Sequence, residues 1–402
     1  MKADFFDELK KRGLIAKYTP KIAEQLKTKT TLYIGFDPTA DSLHLGHLLP
    51  LIIAKRALNF GHNIIFIVGG GTALIGDPSG KNKERPIIPE EKIKENIKSI
   101  STQIEKFMTI DNKRVRLVNN ASWLKKLSLL NFLRDVGKET SINSMLDLDI
   151  VKKRLEEHKF MSFSEFAYQL IQTYDFYVLF NKYNCRVQYG GTDQWGNIIQ
   201  GIQFIKKKTG KQVHGFAFPL ITDPATGKKF GKTEKGKAVW LNPQKTSPFH
   251  FHQFLLNTSD ALTENLMFYY SFLNIDEIKK LIYEHKKRPE KRLLQQQIAN
   301  EITEIVHGKK TVQIIKDLNQ ILFTSPEKLD KILPSELKKV FPLKKADKNL
   351  PLNLLLLQSG LVDSKKEADR LIKQNALKVF ATSTYTIIKK GKKHFSICLN
   401  KQ

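Results

Sequence analysis

Cysteine is nearly absent: the 402-residue chain has only Cys185 and Cys398. They lie too far apart, and too isolated, for a zinc cluster or a disulfide framework, so a reducing compartment is expected. Long apolar runs are lacking too. No stretch approaches the roughly 20 residues that a membrane-spanning helix needs. The opening segment MKADFFDELKKRG is charged and amphipathic and has no apolar core of a secretory signal. A soluble, cytoplasmic protein with no membrane partner is the expectation. Internal repeats and low-complexity tracts are also missing.

Positive charge, by contrast, is abundant. Lys and Arg number 67 against 40 Asp and Glu, a formal net charge of +27. Such a field attracts polyanions, which makes nucleic acid the first partner to consider. Lysine spread over the whole chain also fits ordinary solvated faces, so charge alone leaves the partner open. The length, with 41% apolar residues, suits two or three domains.

In the first half, strand-like and helical stretches alternate. TLYIGFD, NIIFIVGG and KRVRLVNNASW read as strands, and LLPLIIAKRALNFGH and EEKIKENIKSISTQIEKFM as helices. This order predicts an α/β fold, a Rossmann-like parallel sheet with helices on both faces. Ligands of such sheets bind beyond the carboxyl ends of the strands. FDPTADS, GGGTALIGDPSG and YGGTDQWG follow strands and are expected to converge on one crevice. From about 245 to 322 the pattern is helical, with Gly308 a C-cap signal. A lysine-rich, proline-containing connector with short helices follows, then a compact tail from Leu350.

FDPTADSLHLGH carries two histidines, His44 and His47, around Gly46, with Pro50 close behind. Proline is tolerated in the first turn of a helix, so the helix through LIIAKRAL is expected to begin near Gly46 and His47. Both imidazoles then sit at a helix N-terminus, where free N–H groups and the dipole favour an anion. Gly46 would let a ligand lie against the backbone. A metal would need a third ligand, and none stands at a suitable spacing; two structural histidines are the plainer alternative. KKFGKTEKG, with Lys229, Lys232 and Thr233, lacks the spacing of a P-loop and read alone is a flexible lysine loop. In MSFSEFAYQLIQTYDFYVLF, Tyr168, Gln172 and Asp175 fall on one helix face at i, i+4 and i+7. That stripe is either solvent-facing or partly buried, and a buried carboxylate would need a hydrogen-bond partner.

HLGH and KFGKT resemble the two signatures of class I aminoacyl-tRNA synthetases. YIGFDPTADSLHLGHL, GDPSGK, YGGTDQWGN and KFGKTEKGKAVWL occur in the order of the bacterial-type tyrosyl branch, and the resemblance spans nearly the whole chain. It implies a tyrosine–tRNA ligase that forms tyrosyl-adenylate from L-tyrosine and ATP, with Mg2+ on the phosphates, and then charges tRNA(Tyr). By resemblance His44 and His47 meet the ATP phosphates, while Lys229, Lys232 and Thr233 lie on a loop that closes over pyrophosphate. Lys81 and Arg85 would approach from a second loop. Asp193 and Gly191 would hold the ribose, and Asp37 and Thr39 would shape the ATP site, although Asp-Pro-Thr is equally an ordinary turn. Tyr33 and Asp175 would bond the phenolic hydroxyl, Tyr168, Gln172 and Asp77 the ammonium group, with Gln194 completing the wall.

The same resemblance implies a homodimer and a division into a catalytic domain (1–235), an anticodon-side helical domain (236–325), a linker (326–349) and an S4-like RNA-binding domain (350–402). The last holds ten Lys or Arg against three Asp or Glu. Two other readings are a tryptophan-activating relative and an RNA-binding protein without catalysis. Asp175 speaks against the first. The joint presence of His44, His47, Lys229 and Lys232 speaks against the second.

Overall fold

Six strands of the computed structural model form the sheet that carries the site: β1 (Lys17–Tyr18), β2 (Thr31–Phe36), β3 (Asn63–Val68), β4 (Val115–Asn119), β5 (Cys185–Gly191) and β6 (His214–Phe218). The structure describes residues 4–77, 88–147, 149–224, 227, 229–233, 236–347, 350–391 and 394–400. Two compact units contain them, one of residues 1–238 and 261–286, the other of 239–260 and 287–402.

In the first unit the strand order is β1-β6-β5-β2-β3-β4, with β1 antiparallel and the rest parallel. In β3, Ile64, Ile65, Phe66, Ile67 and Val68 are all buried, as a strand covered on both faces requires. The chain leaves β2 toward β3 and β4 on one side and returns as β5 and β6 on the other. The switch point of the topology, where α/β sheets open their ligand crevice, therefore lies between β2 and β5.

Local signals fix the helices that frame this crevice. Helix α1 (Leu45–Asn59) follows β2. Helix α2 (Glu90–Phe107) buries Ile93, Ile100 and Ile104 on one face and has Glu90 and Glu91 in its first turn, favourable to the dipole. Helix α3 (Phe163–Tyr183) is capped by Ser162, whose hydroxyl accepts from the Glu165 N–H at 3.2 Å, and stops at Asn184 in the left-handed region. A buried fork from Arg154 to Glu165, 2.8 and 2.6 Å, holds the start of α3. Helix α4 (Trp195–Thr209) ends at Gly210. The strand expected over KRVRLVNNASW stops at Asn119, because Asn120 turns the chain into a short helix, Ala121–Leu124.

The second unit contains helices α5 (Pro248–Leu256), α7 (Leu293–His307) and α8 (Lys309–Thr324), whereas α6 (Asp260–Tyr270), but for its first residue, falls in the first unit. The residues expected to form one helical domain are thus divided between two bodies. The expected connector holds a helix, Pro334–Val340, and a strand, β7 (Lys344–Ala346). This strand pairs in parallel with β10 (His394–Asn400), beyond which lie β9 (Tyr385–Lys390) and β8 (Leu377–Ala381). Alternation serves both faces of the small sheet. Tyr385, Ile387 and Ile397 pack with Phe249, Ile315 and Leu322, while Ile388 and Cys398 pack with Leu355, Leu356 and Leu371. Ser364 caps the helix Lys365–Lys373 in the tail, its hydroxyl accepting from the Glu367 N–H. Both cysteines are free and buried. Among the described residues no helix is long and apolar enough to cross a membrane.

Candidate active site

Helix α1 begins at Leu45 with His44 as its N-cap, and the two imidazoles build the start of the helix themselves. His44 Nδ1 accepts from the Gly46 N–H at 3.1 Å, and His47 Nδ1 accepts from the His44 N–H at 3.3 Å. The rings stack with centroids 3.8 Å apart. Since each Nδ1 is an acceptor, a neutral ring carries its proton on Nε2. Burial, helped by the Lys232 charge, lowers His44 to about 4, and burial next to His44 lowers His47 as well. At neutral pH both side chains are uncharged Nε2–H donors.

The helix start alone points to free backbone N–H groups here. Those of Gly46 and His47 are engaged, the first by the His44 ring at 3.1 Å and the second by the His44 carbonyl at 2.8 Å. A Cβ on Gly46 would meet the His44 ring at 3.0 Å, which makes the stacked histidine itself a reason for glycine. Pro50 is the sixth helical residue, later than the first turn expected for it. Its missing N–H leaves the Gly46 carbonyl without the usual intrahelical donor.

The lysine loop folds back on itself beside this helix. Lys229 bridges to Thr222 and Lys232 to Ala238, both antiparallel. The Phe230 N–H donates to the Ile221 carbonyl at 2.9 Å, and Thr233 closes a turn with Lys237 through its N–H at 2.7 Å and its hydroxyl at 3.2 Å. Gly231, at φ +90°, seats the loop against the helix tip; a Cβ there would lie 3.2 Å from the Gly46 nitrogen. His44, Gly46, His47 and Lys232 are thereby brought together.

Two polar chains lie over the ends of β2 and β5. Asp175, buried on α3, accepts from Trp123 Nε1 at 2.6 Å and from Asn120 Nδ2 at 2.9 Å. Asn120 also donates to the Thr72 hydroxyl, which donates to Asp37, and Asp37 accepts from the Tyr168 hydroxyl at 3.0 Å. Along the other side, Gln194 donates to Asp77 at 2.9 Å and accepts from Gln172 at 3.2 Å, while Asn197 donates to both glutamines. Burial raises the Asp175 carboxyl to about 7 against the two donors that favour its ionised form. Tyr33, 2% exposed, packs its ring 5.0 Å from Phe176. Its hydroxyl is buried with no hydrogen-bond partner among the described residues. Burial and then the nearby Asp175 charge raise its pKa.

Gly191 ends β5, and just after it desolvation and then the Asp77 charge raise the Asp193 carboxyl above its ordinary value, against the opposing charge of Lys229. Thr39 is exposed, with its N–H on the Asp37 carbonyl at 2.8 Å, the plain Asp-Pro-Thr turn. Asp37 itself belongs to the Tyr168 cluster. Lys81 and Arg85 lie outside the described residues. Asn120, Trp123, Thr72 and Asn197 also belong to the site, although no local motif marks them. The position of Asn120 just past a strand's carboxyl end was the available signal. Among the described residues no three His, Cys, Asp or Glu side chains are grouped to hold a metal.

Helix tip, lysine loop and switch point together describe a nucleotide-using α/β enzyme, and comparison with known proteins gives its class. The profile of the tRNA synthetases class I (W and Y) matches residues 25–324, and the chain belongs to that family. It is an aminoacyl-tRNA synthetase. The chain is similar to the tyrosine–tRNA ligase of Roseiflexus castenholzii, 45% identical over 79% of this chain and 75% of the relative. It is also similar to tyrosine–tRNA ligase 1 of Vibrio parahaemolyticus, 39% identical over the whole of both chains. A C-terminally truncated mitochondrial tyrosyl-tRNA synthetase of Aspergillus nidulans superposes with a TM-score of 0.72 at 32% identity, covering 80% of this chain and 95% of its own.

Proposed function

We infer that this chain is a tyrosine–tRNA ligase that activates L-tyrosine with ATP and transfers it to the 3′ end of tRNA(Tyr). The observation that carries the specificity is the buried, unpartnered Tyr33 hydroxyl beside the Asp175 carboxylate. A phenol satisfies both groups, donating its proton to Asp175 and accepting from Tyr33. An indole N–H could reach the carboxylate, but it has no lone pair for Tyr33, which would stay buried and unpaired. This argues against a tryptophan substrate.

In the first step a tyrosine carboxylate oxygen attacks the α-phosphorus of ATP, the bond to the bridging oxygen breaks, and pyrophosphate leaves. The chain supplies alignment and charge compensation and needs no nucleophile of its own. Tyr168, Gln172 and Asp77 hold the ammonium group, with Gln194 bracing them. The Nε2–H groups of His44 and His47 donate to phosphate oxygens, and Lys229, Lys232 and the Thr233 segment cover the departing pyrophosphate. Lys81 and Arg85 belong to the same task. Asp193 and Gly191 take the ribose, while Asp37, through Tyr168, and Thr39 shape the floor. Mg2+ carried by the ATP phosphates would offset part of their charge, beside the donors that His44, His47 and Lys232 would supply. In the second step a ribose hydroxyl of the tRNA attacks the tyrosyl carbonyl and AMP departs. The basic tail from Leu350, S4-like in its helix, turn and strand order, grips phosphate backbone.

A cytoplasmic homodimer completes this reading. Residues 129–163 carry large apolar side chains in solvent, among them Leu129, Leu130, Ile142, Phe160 and Phe163, the last two 78% and 77% exposed. Exposed apolar surface of this kind marks a protein contact, here with a second copy. Sedimentation equilibrium is expected to give twice the chain mass; a single chain mass at micromolar concentration would discard the dimer.

Pure protein with ATP, Mg2+ and tyrosine is expected to exchange labelled pyrophosphate into ATP. Absence of tyrosine-dependent exchange, or equal exchange with tryptophan, would sink the assignment.

A further inference from the structure

Tyr270, the last residue of α6, is fully buried where the two nucleotide motifs meet. Its hydroxyl donates to the carbonyl of Leu45, the first residue of α1, at 3.3 Å. Its ring faces Phe230 of the lysine loop edge-on, with centroids 6.3 Å apart. One side chain thus touches both segments that supply donors to the phosphates.

The carrier of Tyr270 is held firmly. Arg12 donates to the carbonyls of Phe268, Ser271 and Leu273 at 3.1, 3.0 and 2.6 Å, gathering the end of α6. Arg56 of α1 donates to the Ser271 carbonyl as well and lies over the Phe272 ring. Both guanidinium groups are buried, and Glu8 pairs with each of them. The anchor of α6 is therefore partly α1 itself, the helix whose tip carries His44 and His47. Carbonyls at a helix end are weak negative poles, and buried arginines fit them well.

We propose that Tyr270 is a positioning residue for adenylate formation: its hydroxyl sets the first turn of α1 and its ring is the seat on which Phe230 holds the lysine loop against that turn. This rests on the assignment of the chain as a tyrosine–tRNA ligase. The two contacts have separate consequences. The hydroxyl orients the imidazoles, which act in the reaction whether or not the loop is down. The ring sets how much of the time the loop is down. Neither contact touches the phenol or ammonium groups around Asp175 and Tyr168, so tyrosine binding is independent of both.

Tyr270→Phe removes the hydroxyl and keeps the ring. Its single-turnover rate of tyrosyl-adenylate formation is expected to fall about three- to tenfold, the range of one ordinary hydrogen bond. Tyrosine Kd should stay within about twofold, and the tryptic cleavage rate after Lys229 and Lys232 should match wild type. Tyr270→Leu, or Phe230→Ala if that variant does not fold, should show the same tyrosine Kd but severalfold faster cleavage in the loop. A Tyr270→Phe rate equal to wild type would overturn the role of the hydroxyl, and unchanged loop cleavage in the ring variants would overturn the seat. Tyrosine affinity falling in step with rate would reduce Tyr270 to general packing. Wild-type protein run alongside separates these results from failure of the functional assignment, which would show as no adenylate in any sample.

Discussion

Asp175→Ala is expected to lower kcat/KM for tyrosine by roughly two to four orders of magnitude, while ATP affinity changes little. The carboxylate is buried, accepts from Trp123 and Asn120, and lies beside the unpartnered hydroxyl of Tyr33. Truncating one member of a buried, hydrogen-bonded charged set costs about 2–5 kcal/mol, much of it from the partners left unpaired. Here those partners are an indole N–H and an amide that also ties Thr72 and Asp37 into the ammonium cluster. Discrimination against phenylalanine should shrink in parallel, because the hydroxyl would no longer find its acceptor. Equal loss of ATP and tyrosine affinity would show that the pocket is misassigned.

The same group gives the binding a pH signature. The carboxyl lies at about 7 without substrate, and three donors, two from the protein and one from the phenol, favour its ionised form once tyrosine is bound. Binding then releases a proton below pH 7, and tyrosine Kd should rise as pH falls from about 7 toward 5.5, by at most about tenfold per unit. A Kd that stays flat over that range contradicts the linkage.

Lys232→Ala should slow adenylate formation by about 10²–10³-fold, the range seen when one preorganised transition-state donor is removed, with tyrosine Kd unchanged. The charge of Lys232 already acts on this helix tip, adding to burial in holding His44 deprotonated. Its removal should therefore also move the His44 titration upward from about 4, a change that NMR of the imidazole would detect. A normal rate would take the loop out of the chemistry. A normal rate with a shifted His44 would leave Lys232 a neighbour of the site and nothing more.

Much of this was legible along the chain. Strand and helix alternation gave the parallel sheet, since β2 and β3 are apolar runs of the length that a buried strand requires. Helical spacing put Tyr168, Gln172 and Asp175 on one face, and each does take part in the site's hydrogen bonds, Tyr168 and Asp175 in one chain and Gln172 in the other. Asn120 and Trp123 were not legible. Their value lies in meeting a side chain more than 50 positions away, which no local pattern encodes. The helix tip was half legible: the histidines do stand at the start of α1, but the His44 ring takes the Gly46 N–H and the His44 carbonyl the His47 N–H. The placement of α6 was hidden for a similar reason, as Arg12 and Arg56 reach its final carbonyls from far upstream.

The strand at Lys344–Ala346 changes what the tail can be. A cut at residue 350 would orphan β7, and it would strip Tyr385, Ile387 and Ile397 from the helical side chains they cover. Each large apolar group re-exposed costs about 1.5–3 kcal/mol, so the remainder would be damaged well beyond the loss of some lysines. The sheet is therefore part of the helical core it covers and does not come away as a separate piece.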